Sequence, residues 1–228
     1  MARVILSDAA AIVTRNGVRA GAVRGKWRHT PGVGEAAAMD DTGFLPTRHR
    51  LDVEAYYRMA EAGILGPDDR VELIGGEIID MAPIGQDHAA TVNALTRAIV
   101  LACGGRAIVS VRNSVRLDRF NAPQPDVALL RPRADFYRTG APPGPADVLL
   151  AIEVADSTLR HDRMVKLPLY ARSGIVEVWL VDLRQRVLEA HRAPGPEGYT
   201  AVAAYQPGET VTLTGDAEIA VALRRVFD

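Results

Sequence analysis

From about residue 47 the hydrophobic positions alternate between helical stripes and strand-length runs, and their order predicts a mixed α/β domain. Leu51, Tyr56, Met59 and Ala60 recur at helical spacing, with Asp52 placed as N-cap and Gly63 as the stop, and this helix is expected to lie against the sheet. The stretch VELIGGEIIDMA predicts two strands turning at Gly75-Gly76, a pair that supplies the positive φ of a tight turn. DHAATVNALTRAIVLAC, residues 87–103, predicts the strongest helix, with Val92, Leu95, Ile99 and Ala102 on one stripe and Asp87 as its cap. In RAIVSVRNSVRL, Val109, Val111, Val115 and Leu117 alternate with Ser110, Arg112, Ser114 and Arg116, the pattern of a half-exposed strand. DVALL, VLLAIEVA and VEVWLVD are apolar runs of strand length, as in strands covered on both faces. Between the first two, RPRADFYRTGAPPGPAD predicts a long surface loop. A helical segment, STLRHDRMVKLPLYARSG, ends at Ser173-Gly174. Short antiparallel strands with turns at Gly195, Pro207-Gly208 and Gly215 are expected after residue 186, followed by the amphipathic AEIAVALRRVFD.

Residues 1–44 break with this pattern. They are rich in glycine, alanine and arginine, with no sustained apolar period beyond ARVILSDAAAIV, and read as a poorly ordered tail before a single domain at 45–228. Met39 directly precedes the point where the domain pattern begins, so a translation start at Met39 is one expectation. A basic flexible arm touching phosphates is the other. The opening apolar stretch is too short and too interrupted by Arg3 and Asp8 to span a membrane, and no signal-peptide pattern is present.

A formal net charge of -1 supplies no general attraction to nucleic acid, so any DNA contact requires a local arginine patch. The single cysteine, Cys103, excludes an internal disulfide and points to a reducing, cytoplasmic setting. No P-loop, GxSxG or dinucleotide fingerprint occurs.

The candidate chemistry lies between residues 125 and 170. Glu153 sits inside an apolar run, where an unpaired carboxylate would cost several kcal/mol, so it needs a cation, donors or a metal. Asp126 follows Pro125 at the start of another such run. If the two strands are neighbours, the carboxylates repel unless a divalent cation lies between them, and hard oxygen ligands suit Mg2+ or Mn2+. Two ordinary ion-paired acids are the competing reading. Lys166 adds weight to the metal reading, because only Lys26 and Lys166 among the 27 basic residues are lysine. A compact ammonium can hold an attacking water or stabilise phosphoryl charge in ways a guanidinium fork does less well. The competing reading is an Asp162–Lys166 surface pair at i, i+4.

Pro125-Asp126, Glu153-Val154, Ser157-Thr158, Asp162, Lys166 and Tyr170, followed by Gly174 and VEVWLVD, resemble the Uma2 (DUF820) endonuclease family. That family belongs to the PD-(D/E)XK restriction-endonuclease-like superfamily. The resemblance covers residues 46–228 and implies a restriction-endonuclease-like mixed β-sheet core flanked by helices. It also implies a Mg2+- or Mn2+-dependent endonuclease hydrolysing DNA, with Asp126 and Glu153 as catalytic metal ligands. The superfamily pattern has a lysine two residues after the glutamate, where this chain has Ala155. The resemblance implies that Lys166, from the following helix, reaches the same point. Glu72 is then a candidate outer ligand and His88 a candidate phosphate contact. Asp162 would orient Lys166, and Tyr170 would contact phosphate or pack under the helix.

Two groups of arginines are candidate nucleic-acid contacts: Arg112 with Arg116 on the alternating strand, and Arg131, Arg133 and Arg138 in the long loop. The rival functions are a catalytically silent nucleic-acid- or protein-binding module on the same fold, and a metal-dependent hydrolase of another phosphate ester. DNA is the expected partner, a homodimer is an open alternative, and no membrane partner is expected.

Overall fold

A computed structural model describes residues 48–214 and 219–227, without the side chain of Arg225. The tail, the Met39 start and the Gly215 turn fall outside the described residues. The apolar runs assemble into one six-stranded mixed sheet in which spatial order follows chain order. The strands are β3 (Ile108–Val111), β4 (Val127–Leu130), β5 (Val148–Ala155), β6 (Glu177–Asp182), β7 (Val187–Gly195) and β8 (Gly198–Tyr205). Neighbours pair antiparallel except β5 and β6, which run parallel and so require a crossover. That crossover is helical. It begins as α3 (Leu159–His161), passes through a wide π turn (Asp162–Lys166) and ends as α4 (Leu167–Arg172).

The period of two in each central strand sorts its side chains between two layers. Val127, Leu129, Leu150, Ile152 and Val154 meet Val92, Leu95 and Ile99 of α2 (Gln86–Cys103) on one face. Ala128, Leu130, Ala151 and Ala155 meet Leu167, Leu169 and Tyr170 of the crossover on the other. Helices therefore flank a central mixed sheet. β6 is buried along its whole length, including Glu177, whose carboxylate accepts from Trp179 Nε1 at 2.6 Å, Arg192 at 2.9 Å and the Thr214 amide at 2.8 Å. These bonds tie the C-terminal segment to the sheet.

Three local expectations need correction. Helix α1 (Val53–Glu61) does have its Asp52 cap, but it packs on the hairpin of β1 (Val71–Ile74) and β2 (Glu77–Asp80), not on the main sheet. Gly85, not Asp87, is the N-cap of α2, and Asp87 lies in its first turn. The alternating segment 106–117 is not one strand. Pairing stops at Val111 because Arg112 takes φ 54, and the chain leaves the sheet there, so Arg112 and Arg116 share no strand face.

Gly75 and Gly76 have φ 62 and 79, as a two-residue hairpin turn requires. Gly76 is also approached closely, since a Cβ there would lie 2.7 Å from Arg50 Cβ. Gly76→Ala should therefore cost at least the left-handed penalty of about 1–2 kcal/mol. At roughly 2–4 °C per kcal/mol for a chain of this size, thermal melting should show a fall of several degrees.

Candidate active site

Val127 pairs with Ile152, so one further step of the antiparallel register sets Asp126 opposite Glu153. Directly opposed residues share a sheet face, with Cβ atoms about 4.5–5.5 Å apart. Both acids thus extend the face that carries Ala151 and Ala155, and the crossover lies over that face. Lys166 comes from the crossover and enters between two glutamates. Its Nζ is 3.1 Å from Glu153 Oε1 and 3.1 Å from Glu72 Oε2, and the lysine is only 5% exposed. Tyr170, one turn on, donates its hydroxyl to Glu153 Oε1 at 2.6 Å. Glu72 reaches the site from β1 and also accepts the Gln124 amide at 3.1 Å.

The π turn has a local cause. Pro168 has no N–H to give Met164, and in a regular α-helix its ring would press on that carbonyl. The turn before it closes with a wider bond, from Leu167 N–H to the Asp162 carbonyl. His161 and Lys166, five residues apart, would lie on different faces of an α-helix. Here both line one cavity, with His161 Nε2 4.0 Å from Glu72 Oε1. Neither His161 nor Gln124 was expected at the site: the spacing of His161 and Lys166, i and i+5, marks a shared face only once the π turn is known, and Gln124 reaches Glu72 only through the long-range packing of β1.

Asp126 is held from several sides. Its Oδ2 accepts the Val154 amide at 2.9 Å and lies 3.1 Å from His88 Nε2, while Arg112 Nε lies 3.5 Å from Oδ1. Burial would raise its pKa, but the His88 hydrogen bond and the Val154 amide outweigh that and hold it below the usual aspartate value. Glu153 is pushed up to about 8, first by complete burial and then by the charges of Asp162, Asp126 and Glu72, against the pull of Lys166. Burial would lower Lys166, but Glu153, Glu72 and Asp162 outweigh it and raise its pKa. Asp162 is also raised, chiefly by burial. No ion pair joins Asp162 to Lys166 among the described residues. Asp162 takes a hydrogen bond from Thr158 instead, so it acts on the lysine through charge rather than contact.

A pH dependence follows. A carboxyl raised on folding keeps its proton where the unfolded chain has lost it, so the folded protein binds more protons between the ordinary glutamate value of 4.5 and about 8. Without divalent metal, stability should fall as pH rises through that window and level off above it, with Asp162 adding to the slope at its lower end. Calorimetric melting in chelator should show this decline, and Glu153→Gln should remove most of it.

The other expected contacts lie elsewhere. Arg116 pairs with Glu54. The loop with Arg131, Arg133 and Arg138 joins the end of β4 to the start of β5, at the opposite end of these strands from Asp126 and Glu153. Arg133 is engaged by Asp135 at 2.6 Å, Arg131 donates to the Ala146 carbonyl at 2.9 Å, and Arg138 is exposed. None of the three lines the cavity, which has a volume of about 560 Å³.

The donor set suits a hard divalent ion. Glu72, Asp126, Glu153 and Asp162 all line the cavity, where Lys166 is their one buried ammonium, and carboxylate oxygens are the ligands that Mg2+ and Mn2+ prefer. Among the described residues no three His, Cys, Asp or Glu side chains gather closely enough to hold an ion by themselves. Two carboxylates with water and substrate oxygens are a common magnesium arrangement. Also among the described residues, no helix is long and apolar enough to cross a membrane.

Comparison with known proteins places the chain. No curated protein matches it. A crystal structure described as "a putative nuclease belonging to DUF820", from Anabaena variabilis, is similar at a TM-score of 0.60 and 14% identity, covering 78% of this chain and 97% of that one. The two share a restriction-endonuclease-like fold. A model of the Uma2 family, described as "Putative restriction endonuclease", matches residues 53–223, and the chain belongs to that family.

Proposed function

We propose that the protein is a cytoplasmic, Mg2+- or Mn2+-dependent endonuclease that hydrolyses DNA phosphodiester bonds. The observation that carries this reading is the Asp126–Glu153 cross-strand pair, facing a cavity and overlaid by a buried lysine. Asp126 and Glu153 would hold the ion, which supplies Lewis-acid polarisation of the phosphoryl oxygen and a more acidic bound water.

The remaining steps belong to the chain's own groups. An ammonium has three donors, and Glu72 and Glu153 engage two on Lys166. The third can orient the attacking water or stabilise charge on the phosphoryl oxygens. Water attacks phosphorus, the bond to the 3′-oxygen breaks, and that oxygen leaves with a proton. Tyr170 fixes Glu153 from below through its hydroxyl, which leaves it no free donor for phosphate and favours packing as its role. The carboxylates of the cavity would repel DNA, and an ion held by Asp126 and Glu153 would offset that charge.

A catalytically silent binding module on the same fold remains the second reading, favoured by Ala155 and by the pairing of Lys166 with two glutamates. Incubation with supercoiled plasmid separates the two. Relaxation or linearisation that needs Mg2+ or Mn2+ and stops with chelator supports the nuclease, and intact plasmid under every metal supports the silent module.

A further inference from the structure

Arg112 stands where β3 ends, in a left-handed conformation that residues other than glycine seldom adopt. Its amide nevertheless donates to the Asp126 carbonyl at 3.2 Å. Its side chain turns the same way: Nη2 lies 3.2 Å from His88 Nδ1, and Nε lies 3.5 Å from Asp126 Oδ1. A guanidinium has no acceptor, so His88 Nδ1 must accept from it. The imidazole proton therefore sits on Nε2 and is donated to Asp126 Oδ2 at 3.1 Å. With the Val154 amide on that same oxygen, Oδ2 carries two donors, and among the described residues Oδ1 has only the unaligned Arg112 Nε near it.

We infer that Arg112 and His88 form a positioning relay that fixes the imidazole tautomer and the rotamer of Asp126, leaving Oδ1 as the oxygen for a metal. This rests on the reading of Asp126 as a metal ligand. It gives both side chains a role different from the phosphate contacts that their charge alone suggests. The energetic logic is that of a histidine bonded outside the metal shell: the outer group limits how the ligand can turn. The left-handed backbone at Arg112 is what aims the guanidinium at His88 while the amide stays on Asp126.

The test uses the full chain with Mn2+ calorimetry, and Ca2+-supported binding of a short DNA duplex as a second readout. His88→Leu and Arg112→Gly should each weaken Mn2+ binding by about tenfold or more. The double variant should be no weaker than the worse single, since both act through one chain of bonds. His88→Gln should recover most of the affinity, because an amide can accept from Arg112 and donate to Asp126. Arg112→Gly relieves the backbone, so its melting temperature should hold or rise and exclude unfolding as the cause.

Unchanged Mn2+ affinity, with duplex binding weakened multiplicatively in the double variant, would overturn the relay in favour of phosphate contacts. The 15N shifts of His88 decide the matter even if the wild type binds no Mn2+, an outcome that sinks the nuclease reading itself. A proton on Nε2 that becomes mobile in Arg112→Gly supports the relay, and a proton on Nδ1 in the wild type rejects it.

Discussion

Lys166→Arg should lose about a hundredfold in cleavage rate while Mn2+ affinity stays near the wild-type level. The lysine is enclosed, with both glutamates 3.1 Å from its nitrogen. A planar guanidinium cannot place one donor where the ammonium does, and misplacement by an ångström typically costs about that factor. Asp126 and Glu153 remain in place, which is why binding survives. Lys166→Met isolates the charge, since it leaves Glu153 and Glu72 buried without their cation. Breaking a buried pair typically costs about 3–5 kcal/mol, so this variant should also melt lower. The penalty should be smaller below about pH 8, where Glu153 keeps its proton, and grow as pH rises above that value. Plasmid cleavage with parallel melting curves tests both variants, and wild-type cleavage by Lys166→Arg removes the lysine from the mechanism.

Asp126→Asn should abolish detectable cleavage with little change in fold. The asparagine carbonyl can take over the Val154 amide and the His88 donor, which now converge on Oδ2. Its NH2 group then occupies the place of Oδ1 and cannot ligate a cation. Several kcal/mol of transition-state stabilisation disappear with the metal, on the order of a thousandfold in rate. A melting temperature within a few degrees of wild type is expected alongside that loss. A similar rate in the variant contradicts the role given to Asp126.

Much of this site was legible because its residues violate the composition around them. Glu153 interrupts an apolar strand, and Lys166 is the only lysine after residue 26. A buried acid in an apolar strand is not by itself a site. Glu177 and Asp182 are equally buried acids on β6, yet Trp179, Arg192 and Thr214 satisfy the first, and the Arg184 and Gln185 amides hold the second in a turn. What separates the pairs is which strand lies alongside, and pairing is not written in any one segment.

The strand break at Arg112 was hidden because the apolar alternation continues to Leu117, and a positive φ at arginine has no signature in the residue type. Likewise the arginines of the long loop looked close to the site in sequence. Antiparallel pairing of β4 and β5 puts that loop at the far end, about four or five residues and therefore roughly 15 Å along the strands. Pro168 was visible, but its consequence, a π turn that brings His161 beside Lys166, depends on packing over the sheet.

Calorimetric titration of Mn2+ into the wild type and into Asp126→Asn asks whether the facing carboxylates hold a divalent ion before any question of substrate arises. A saturable site is expected in the wild type, absent or at least tenfold weaker in the variant. No binding to the wild type, or equal binding to both proteins, contradicts it.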